Sequence, residues 1–155
     1  MIILGIDPGV ERIGIAILSG TSHSNTTCIT SDTFITQKKD TPQERILQIY
    51  TQLKKLCIQY RPNCLMMEQL LFAKNVKTAV VVAQVQGVIL LLASELHIEL
   101  KVVNPMSVKS AVAGDGNADK LAMKKMVDLQ IELPKKKRLD DEYDAIACAY
   151  SYFLS

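Results

Sequence analysis

The chain has 155 residues, 48% of them apolar and 22% charged, with a formal net charge of +2. This composition excludes a disordered chain and fits one domain around a single core. The apolar N-terminal run leads straight into Asp7, and the most apolar stretch, residues 79–92, is shorter than the roughly 18 residues of a membrane span. We expect one domain over residues 1–155, in the cytoplasm and without a membrane partner.

The chain opens with three strand-like segments, which are residues 1–7, 12–19 and 26–36. The polar stretch 20–25 has the composition of a hairpin turn between the second and third segments. A helix start follows, in which Thr41 is the cap, Pro42 is the first helical residue and Glu44 completes a capping box. This part of the chain predicts an antiparallel meander and a first helix.

Strands then alternate with helices. We expect strands over residues 64–68 and 99–104, on either side of a helix that begins at Thr78 and ends at His97. Further helices are expected from Pro105 onwards, over residues 118–129 and over residues 140–153. Crossover helices make strands pair in parallel and cover both faces of the sheet. The sequence predicts an α/β fold with a five-stranded mixed sheet, three antiparallel strands then two parallel, and helices on both faces.

Four carboxylates lie where this fold can bring them together. Asp7 ends the first strand and Glu68 the fourth, while Asp141 and Asp144 are three residues apart in the last helix and so lie on one helix face. Two unit charges about 4 Å apart repel by roughly 4 kcal/mol at an effective dielectric near 20, so clustered acids favour a bound cation. The pattern indicates a metal-dependent nuclease centre. Each acid also has a plain explanation as a turn residue, a solvated strand end or a charge at a helix start.

Charge is unevenly distributed along the chain. Residues 101–138 carry nine Lys or Arg against four acids, whereas residues 140–144 hold four acids. A basic flank beside an acidic cluster suits a polyanion held over bound metal, although a solvated face is the ordinary alternative. We interpret the run of four basic residues at 135–138 as a mobile contact to phosphates. The four cysteines lack metal-ligand spacing, and we expect reduced, buried thiols.

Several short motifs follow one another in a recognisable order. They are Ile3-Leu4-Gly5-Ile6-Asp7-Pro8-Gly9, Met67-Glu68-Gln69, Ala73-Lys74-Asn75, Gln84-x-x-Gly87, Val108-Lys109, Gly114-x-Gly116-x-Ala118-x-Lys120 and Asp141-x-x-Asp144-Ala145-x-Ala147. From residue 1 to about residue 150, this set resembles the RuvC-type Holliday-junction resolvases. The resemblance implies a ribonuclease H-like fold and a homodimer that cuts four-way DNA junctions with Mg²⁺, for which Mn²⁺ can substitute.

The resemblance also assigns residues. Asp7, Glu68, Asp141 and Asp144 match the family's metal-binding carboxylates, which would hold two ions roughly 4 Å apart for in-line displacement and leave a 5′-phosphate at the nick. The matching DNA-binding positions are Lys109, Lys120, Leu71, Phe72, Lys74 and Asn75. Leu71 departs from the family, which often has an aromatic residue there that stacks on a base, and Phe72 is a candidate substitute.

The helix that begins at Thr78 and ends at His97 is apolar nearly all round, so it needs cover on two sides. We expect a homodimer through this helix, whose twofold symmetry would match that of a junction; cover by loops of the same chain is the alternative. A branch-migration helicase complex is a further candidate partner.

Two other functions stay open. Ile6-Asp7-x-Gly9 with Arg12-Ile13-Gly14 also resembles the YqgF-type relatives, which would make the chain an RNA-processing nuclease of the same fold. The Gly114 to Lys120 loop and the Asp141/Asp144 pair favour the junction enzyme. The departure at Leu71 also allows a junction-binding protein with weak catalysis.

Overall fold

A computed structural model describes the backbone of residues 1–69 and 76–155, and the side chains of 1–69 and 79–155. Its strands are β1 (Ile2–Asp7), β2 (Arg12–Gly20), β3 (Thr26–Ile35), β4 (Cys64–Glu68) and β5 (Glu99–Val103). Its α-helices in this part of the chain are α1 (Pro42–Tyr60), α2 (Val76–Glu95), α3 (Pro105–Ala113), α4 (Lys120–Gln130) and α5 (Asp140–Leu154). The predicted strands and helices are all present.

Some predicted boundaries are wrong by a short distance. Helix α2 begins at Val76 and ends at Glu95, rather than at Thr78 and His97, and His97 has left the helix with a φ of 53°. Helix α4 begins later than expected because Asp119 is its cap and accepts a hydrogen bond from the backbone of Ala122 at 2.8 Å. The expected hairpin turn contains a short 3-10 helix, His23–Asn25.

The sheet has the strand order β3-β2-β1-β4-β5. Strand β1 pairs antiparallel with β2, and β2 antiparallel with β3, whereas β1–β4 and β4–β5 are parallel pairs. The predicted mixed sheet is therefore confirmed, and its topology is that of the ribonuclease H-like fold. Because β1 and β4 run in the same direction side by side, Asp7 and Glu68 end their strands at the same end of the sheet.

Helices cover both faces of the sheet, as expected. Alternating side chains of the strands enter two separate cores: Leu4 and Ile6 pack with α1 and α2, and Ile3 packs with α3, α4 and α5. The four predicted buried thiols are confirmed as free and buried. Searched over the described residues, no helix has the length and apolarity of a membrane span.

Helix α5 lies very close to the sheet because two glycines face it. A Cβ added to Gly5 would come within 2.1 Å of the Ala145 carbonyl oxygen, and one added to Gly14 within 1.9 Å of the Asp141 carbonyl oxygen. Distances this short exclude any side chain at either position without movement of the helix. The glycines of β1 and β2 thus fix the distance between the sheet and the acidic start of α5.

Candidate active site

Strand alternation directs two of the predicted acids to one face. Gly5 contacts α5, so Asp7, two residues later in β1, has its side chain on that same face. In β4, Cys64 and Met66 belong to the α5 core, so Glu68 follows them to the same side. The pattern of the two strands therefore brings Asp7 and Glu68 under the helix that carries Asp141 and Asp144.

The acids at this end of the sheet are electrostatically coupled. Burial, with the nearby charges of Glu68, Asp144 and Asp141, raises the pKa of Asp7 to about 7. Burial and the charge of Asp144 likewise raise the pKa of Glu68 to about 7, although Lys109 and Lys120 oppose the shift. Burial also raises the pKa of Asp144. Carboxyl groups that are costly to ionise without a counter-ion are typical of sites that bind cations or transfer protons.

Two of the predicted DNA-binding lysines line a cavity together with two of the acids. It has a volume of about 270 Å³ and is lined in part by Glu68, Asp144, Lys109 and Lys120. Although partial burial opposes the shift, the charges of Asp144, Asp140 and Asp141 raise the pKa of Lys120, which keeps it cationic. The cavity therefore places two positively charged lysine side chains beside two acidic ones. This arrangement suits a phosphate that approaches a metal centre.

Asp141 is in a different environment. Its Oδ2 lies 3.5 Å from Nε of Arg12, and it borders a neighbouring cavity that Val10 and Val81 also line. The same oxygen is buried and accepts no hydrogen bond within the described part of the chain, so the ion pair leaves its acceptor capacity unused. Arg12 is not among the predicted site residues; its position at the start of β2, across the turn that follows Asp7, is the signal that could have indicated it.

The acid next to Asp141 is excluded from the cluster. Asp140 is 68% exposed in its side chain, and its Oδ2 accepts a hydrogen bond from Nζ of Lys120 at 3.3 Å. Asp140 therefore contacts a lysine of the cavity but is not one of the buried acids. The two acids are adjacent in the sequence, but Asp140 is exposed whereas Oδ2 of Asp141 is buried.

The donor set fits a divalent cation in its chemistry. Carboxylate oxygens are the preferred ligands of Mg²⁺ and Mn²⁺, and the acceptor of Asp141 is unused. Within residues 1–69 and 76–155, however, no three His, Cys, Asp or Glu side chains are arranged to hold one ion together. Coordination would therefore require rotation of the carboxylate side chains, whose mutual repulsion favours their separation when no cation is bound.

Residues 135–138 were predicted to be a mobile contact to phosphates, and two of their side chains have partners in β3 and α5. Nζ of Lys136 lies 2.7 Å from Oε2 of Glu142 and donates to the carbonyl oxygen of Ser31 at 2.6 Å. Nε of Arg138 donates to Oγ of Ser31 at 3.1 Å. These contacts hold the run against β3 and α5. The four remaining predicted DNA-binding residues, Leu71, Phe72, Lys74 and Asn75, lie outside the described residues.

Comparison with known proteins decides the family. The family model described as "Crossover junction endodeoxyribonuclease RuvC" matches residues 3–152. The chain belongs to the RuvC family. A relative from Brachyspira hyodysenteriae with the same description is 40% identical over 152 residues, which is 98% of this chain and 93% of the relative. A relative from Roseiflexus sp. is 38% identical over 146 residues, which is 94% of this chain and 86% of the relative.

Solved structures agree with the fold. The RuvC structure from Thermus thermophilus has a TM-score of 0.89 and 26% sequence identity, and the match covers 99% of this chain and 94% of that one. A second structure, described as T. thermophilus RuvC in complex with Holliday junction substrate, has the same TM-score at 23% identity and the same coverage, and it supports the fold alone.

Membership confirms the resemblance and the enzyme class. The relatives are described as crossover junction endodeoxyribonucleases, and nucleases of this family depend on metal. The alternative of an RNA-processing nuclease is not favoured, because the RuvC match extends over nearly the whole chain.

Proposed function

We propose that the chain resolves four-way DNA junctions by paired symmetric nicks, with Asp7, Glu68, Asp141 and Asp144 as its catalytic, metal-binding carboxylates. The observation that carries this proposal is the group of partly buried acids with raised pKa values at one end of the sheet, two of which, Glu68 and Asp144, line a cavity with two lysines. Metal-dependent phosphodiester hydrolysis uses carboxylates that bind the metal ions and basic side chains that bind the phosphate.

The roles follow from position. Asp7, Glu68 and Asp144 lie near one another at the end of the sheet, where their charges interact, and would bind the cations; Asp141 would contribute its unused oxygen once Arg12 moves aside. Two Mg²⁺ ions, for which Mn²⁺ can substitute, would supply an activated water and stabilise charge on the leaving 3′ oxygen, so that the nick ends in a 5′-phosphate. Lys109 and Lys120 would bind the scissile phosphate and its neighbour.

A nicking assay tests this proposal. A synthetic four-way junction should be cut at symmetric positions only when a divalent cation is present, and faster than duplex DNA or structured RNA. Asp7→Asn and Glu68→Gln should lower the nicking rate by about 100-fold or more, because each removes a charged ligand, while junction binding stays close to that of the wild type.

Asp140→Asn is the matched control for Asp141→Asn. Both changes remove one acid from the first turn of α5, but only the charge of Asp141 contributes to the raised pKa of Asp7. Asp140→Asn should keep most of the activity. Junction binding without metal-stimulated nicking by the wild type would support the junction-binding protein instead, and a preference for RNA would support the RNA-processing nuclease.

Helix α2 supports a homodimer. Its buried side, which includes Val85 and Ile89, packs on the sheet, whereas its opposite side is an exposed stripe without a charged residue. The stripe consists of Val80, Ala83, Gln84, Gly87, Leu90, Leu91 and Ser94. Val80, Leu90 and Leu91 are each more than half exposed, so loops in the described part of the chain do not cover the helix as the alternative expected. Small residues in the middle of an apolar stripe suit close packing against a second copy.

Gly87 offers a direct test of this interface. Nothing lies within 4 Å of a Cβ added there, so the side chain of Gly87→Leu begins in open space in the monomer. A second α2 helix packed at Gly87 would be pushed away. Sedimentation should therefore show a dimer for the wild type and a monomer for Gly87→Leu, whereas Gln52→Leu on the exposed side of α1 should stay dimeric. Association with a branch-migration helicase complex stays a prediction.

A further inference from the structure

A basic segment runs beside the edge strand of the sheet. We call residues 132–138 the basic strap. At its start, Thr27 and Glu132 form a parallel bridge, and the Cys28 backbone N–H donates to the Glu132 carbonyl oxygen at 3.2 Å. Further along, Lys136 contacts Ser31, which lies closer to the end of β3. The strap therefore runs parallel to β3, towards the end of the sheet where the acids lie.

Two of the four basic side chains anchor the strap. Lys136 pairs with Glu142, whose side chain is only 5% exposed, and Oγ of Ser31 donates to the same carboxylate at 2.8 Å. Arg138 donates to that Ser31 hydroxyl. A carboxylate so deeply buried needs such partners, which gives Lys136 and Arg138 a structural role.

The other two basic side chains face solvent. Lys135 and Lys137 flank Lys136 and are exposed, and among the described residues neither has a hydrogen bond or an ion pair. The chain bends at Lys135 and Lys136, and the two exposed lysines lie on either side of the anchored one. Two neighbouring ammonium groups at the surface without a protein partner among the described residues are suited to bind the phosphates of a DNA backbone.

The anchor also connects the strap to the catalytic helix. Glu142 directly follows Asp141 and precedes Asp144 by two residues, so the strap is bound to the turn of α5 that carries both acids. In the sheet order, β3 lies on one side of β1, while β4, β5 and the following helix α3 with Lys109 lie on the other. The acid cluster therefore lies between two basic regions.

We propose that the basic strap is a second DNA contact, in which Lys135 and Lys137 bind backbone phosphates of the junction arm on the β3 side of the cut. The proposal rests on the proposed nuclease function and adds a surface to it. DNA would be held on both sides of the acids, by Lys109 and Lys120 on one side and by the strap on the other, at a distance that the Glu142–Lys136 pair fixes.

The salt dependence of binding tests the strap. Junction binding should be measured by fluorescence anisotropy at several salt concentrations, in the Asp7→Asn background so that no DNA is cut. Each phosphate contact contributes about 0.9 to the slope of log Kobs against log salt concentration. Lys135→Ala and Lys137→Ala should each reduce the steepness by about 0.9, and the double variant by about 1.8.

Two controls separate a local contact from the effect of net charge. Lys55→Ala removes one exposed positive charge from α1, on the opposite face of the sheet, and should leave the slope unchanged. Lys135→Arg with Lys137→Arg keeps the charges and should restore the parent slope. Because both lysines are exposed, thermal unfolding should be unaffected, which shows that the variants fold.

The outcomes distinguish the strap from the nuclease. A double variant with the parent slope, or a Lys55→Ala slope reduced as much as that of Lys135→Ala, overturns the strap contact. If the wild type cuts junctions while the lysine variants keep the parent slope of log Kobs against log salt concentration, the nuclease proposal stands and only the strap contact fails. If the slope changes but the wild type cuts no DNA with any divalent cation, the strap stands as a DNA contact and the nuclease proposal fails.

Discussion

The first turns of α5 carry two neighbouring acids in opposite electrostatic states. Burial opposes ionisation of Glu142, but hydrogen bonds from Lys136 and Ser31 lower its pKa below the ordinary value. Two residues later, burial raises the pKa of Asp144 even though Lys120 is nearby. Burial opposes ionisation of both acids, so the difference comes from the partners that the rest of the fold supplies.

This contrast distinguishes a structural acid from a candidate functional one. Glu142 is ionised and satisfied in the folded chain, so its charge stabilises the fold. Asp7, Glu68 and Asp144 repel one another and lack a full set of cationic partners, so their charges oppose folding until a cation arrives. Substitutions at the two kinds of acid should therefore have opposite effects on stability and activity.

The largest expected effect is on nicking. Asp144→Asn should lower the rate of junction nicking by about 100-fold or more, because it removes a proposed metal ligand. Its free energy of unfolding without metal should not fall, since the wild-type carboxyl is already destabilised by burial. Single-turnover nicking and urea unfolding measure the two quantities. Loss of both activity and stability in this variant would contradict the distinction.

The next effect is on the fold. Glu142→Gln should lower the free energy of unfolding at neutral pH by about 1 to 3 kcal/mol, because it removes a buried charge-assisted contact with Lys136. A lowered pKa in the folded state contributes stability above the unfolded value of 4.5, which is lost as the pH falls below it. The difference between wild type and variant in urea unfolding should therefore shrink at acid pH. Glu132→Gln, at an exposed position on the strap, should show no such difference.

The opposite sign is expected at Asp7. Its pKa is raised from 3.8 to about 7, so the folded chain binds a proton more tightly than the unfolded chain and loses stability as the pH rises from about 4 to about 7. One pKa unit corresponds to about 1.4 kcal/mol, so Asp7→Asn should be more stable than the wild type by up to about 4 kcal/mol at alkaline pH, with little difference near pH 4. Thermal unfolding across this range measures the effect. Added Mg²⁺ should stabilise the wild type more than the variant.

The smallest effect concerns Arg12. The Arg12–Asp141 pair is partly exposed, and such pairs contribute about 0.2 to 1 kcal/mol. Arg12→Ala should release the carboxylate and tighten Mn²⁺ binding by about twofold to fivefold. Electron paramagnetic resonance of free Mn²⁺ measures this affinity. Lys38→Ala, which breaks the separate pair with Glu11, should leave the affinity unchanged; an equal change in both variants would remove the role assigned to Arg12.

The sequence by itself determined the elements and the direction of two key side chains. Strand periodicity predicted where the strands lie, and the capping box at Thr41 predicted where the first helix begins. The structure has these strands and this capping box. Because side chains alternate along a strand, the positions of Asp7 and Glu68 at the ends of parallel strands were enough to place them together. These features depend on residues close in sequence, whose geometry the local backbone sets.

The tertiary structure alone decided which charges find partners. The buried contact between Ser31 and Glu142 joins residues 111 positions apart, and the strap reaches β3 across a similar separation. A run of four basic residues reads the same in the sequence whether its side chains bind solvent or a buried carboxylate. Only the packing of the strap against β3 and α5 brings Nζ of Lys136 to Glu142, while Lys135 and Lys137 have no partner among the described residues. Ion pairs depend on distances that local periodicity does not encode.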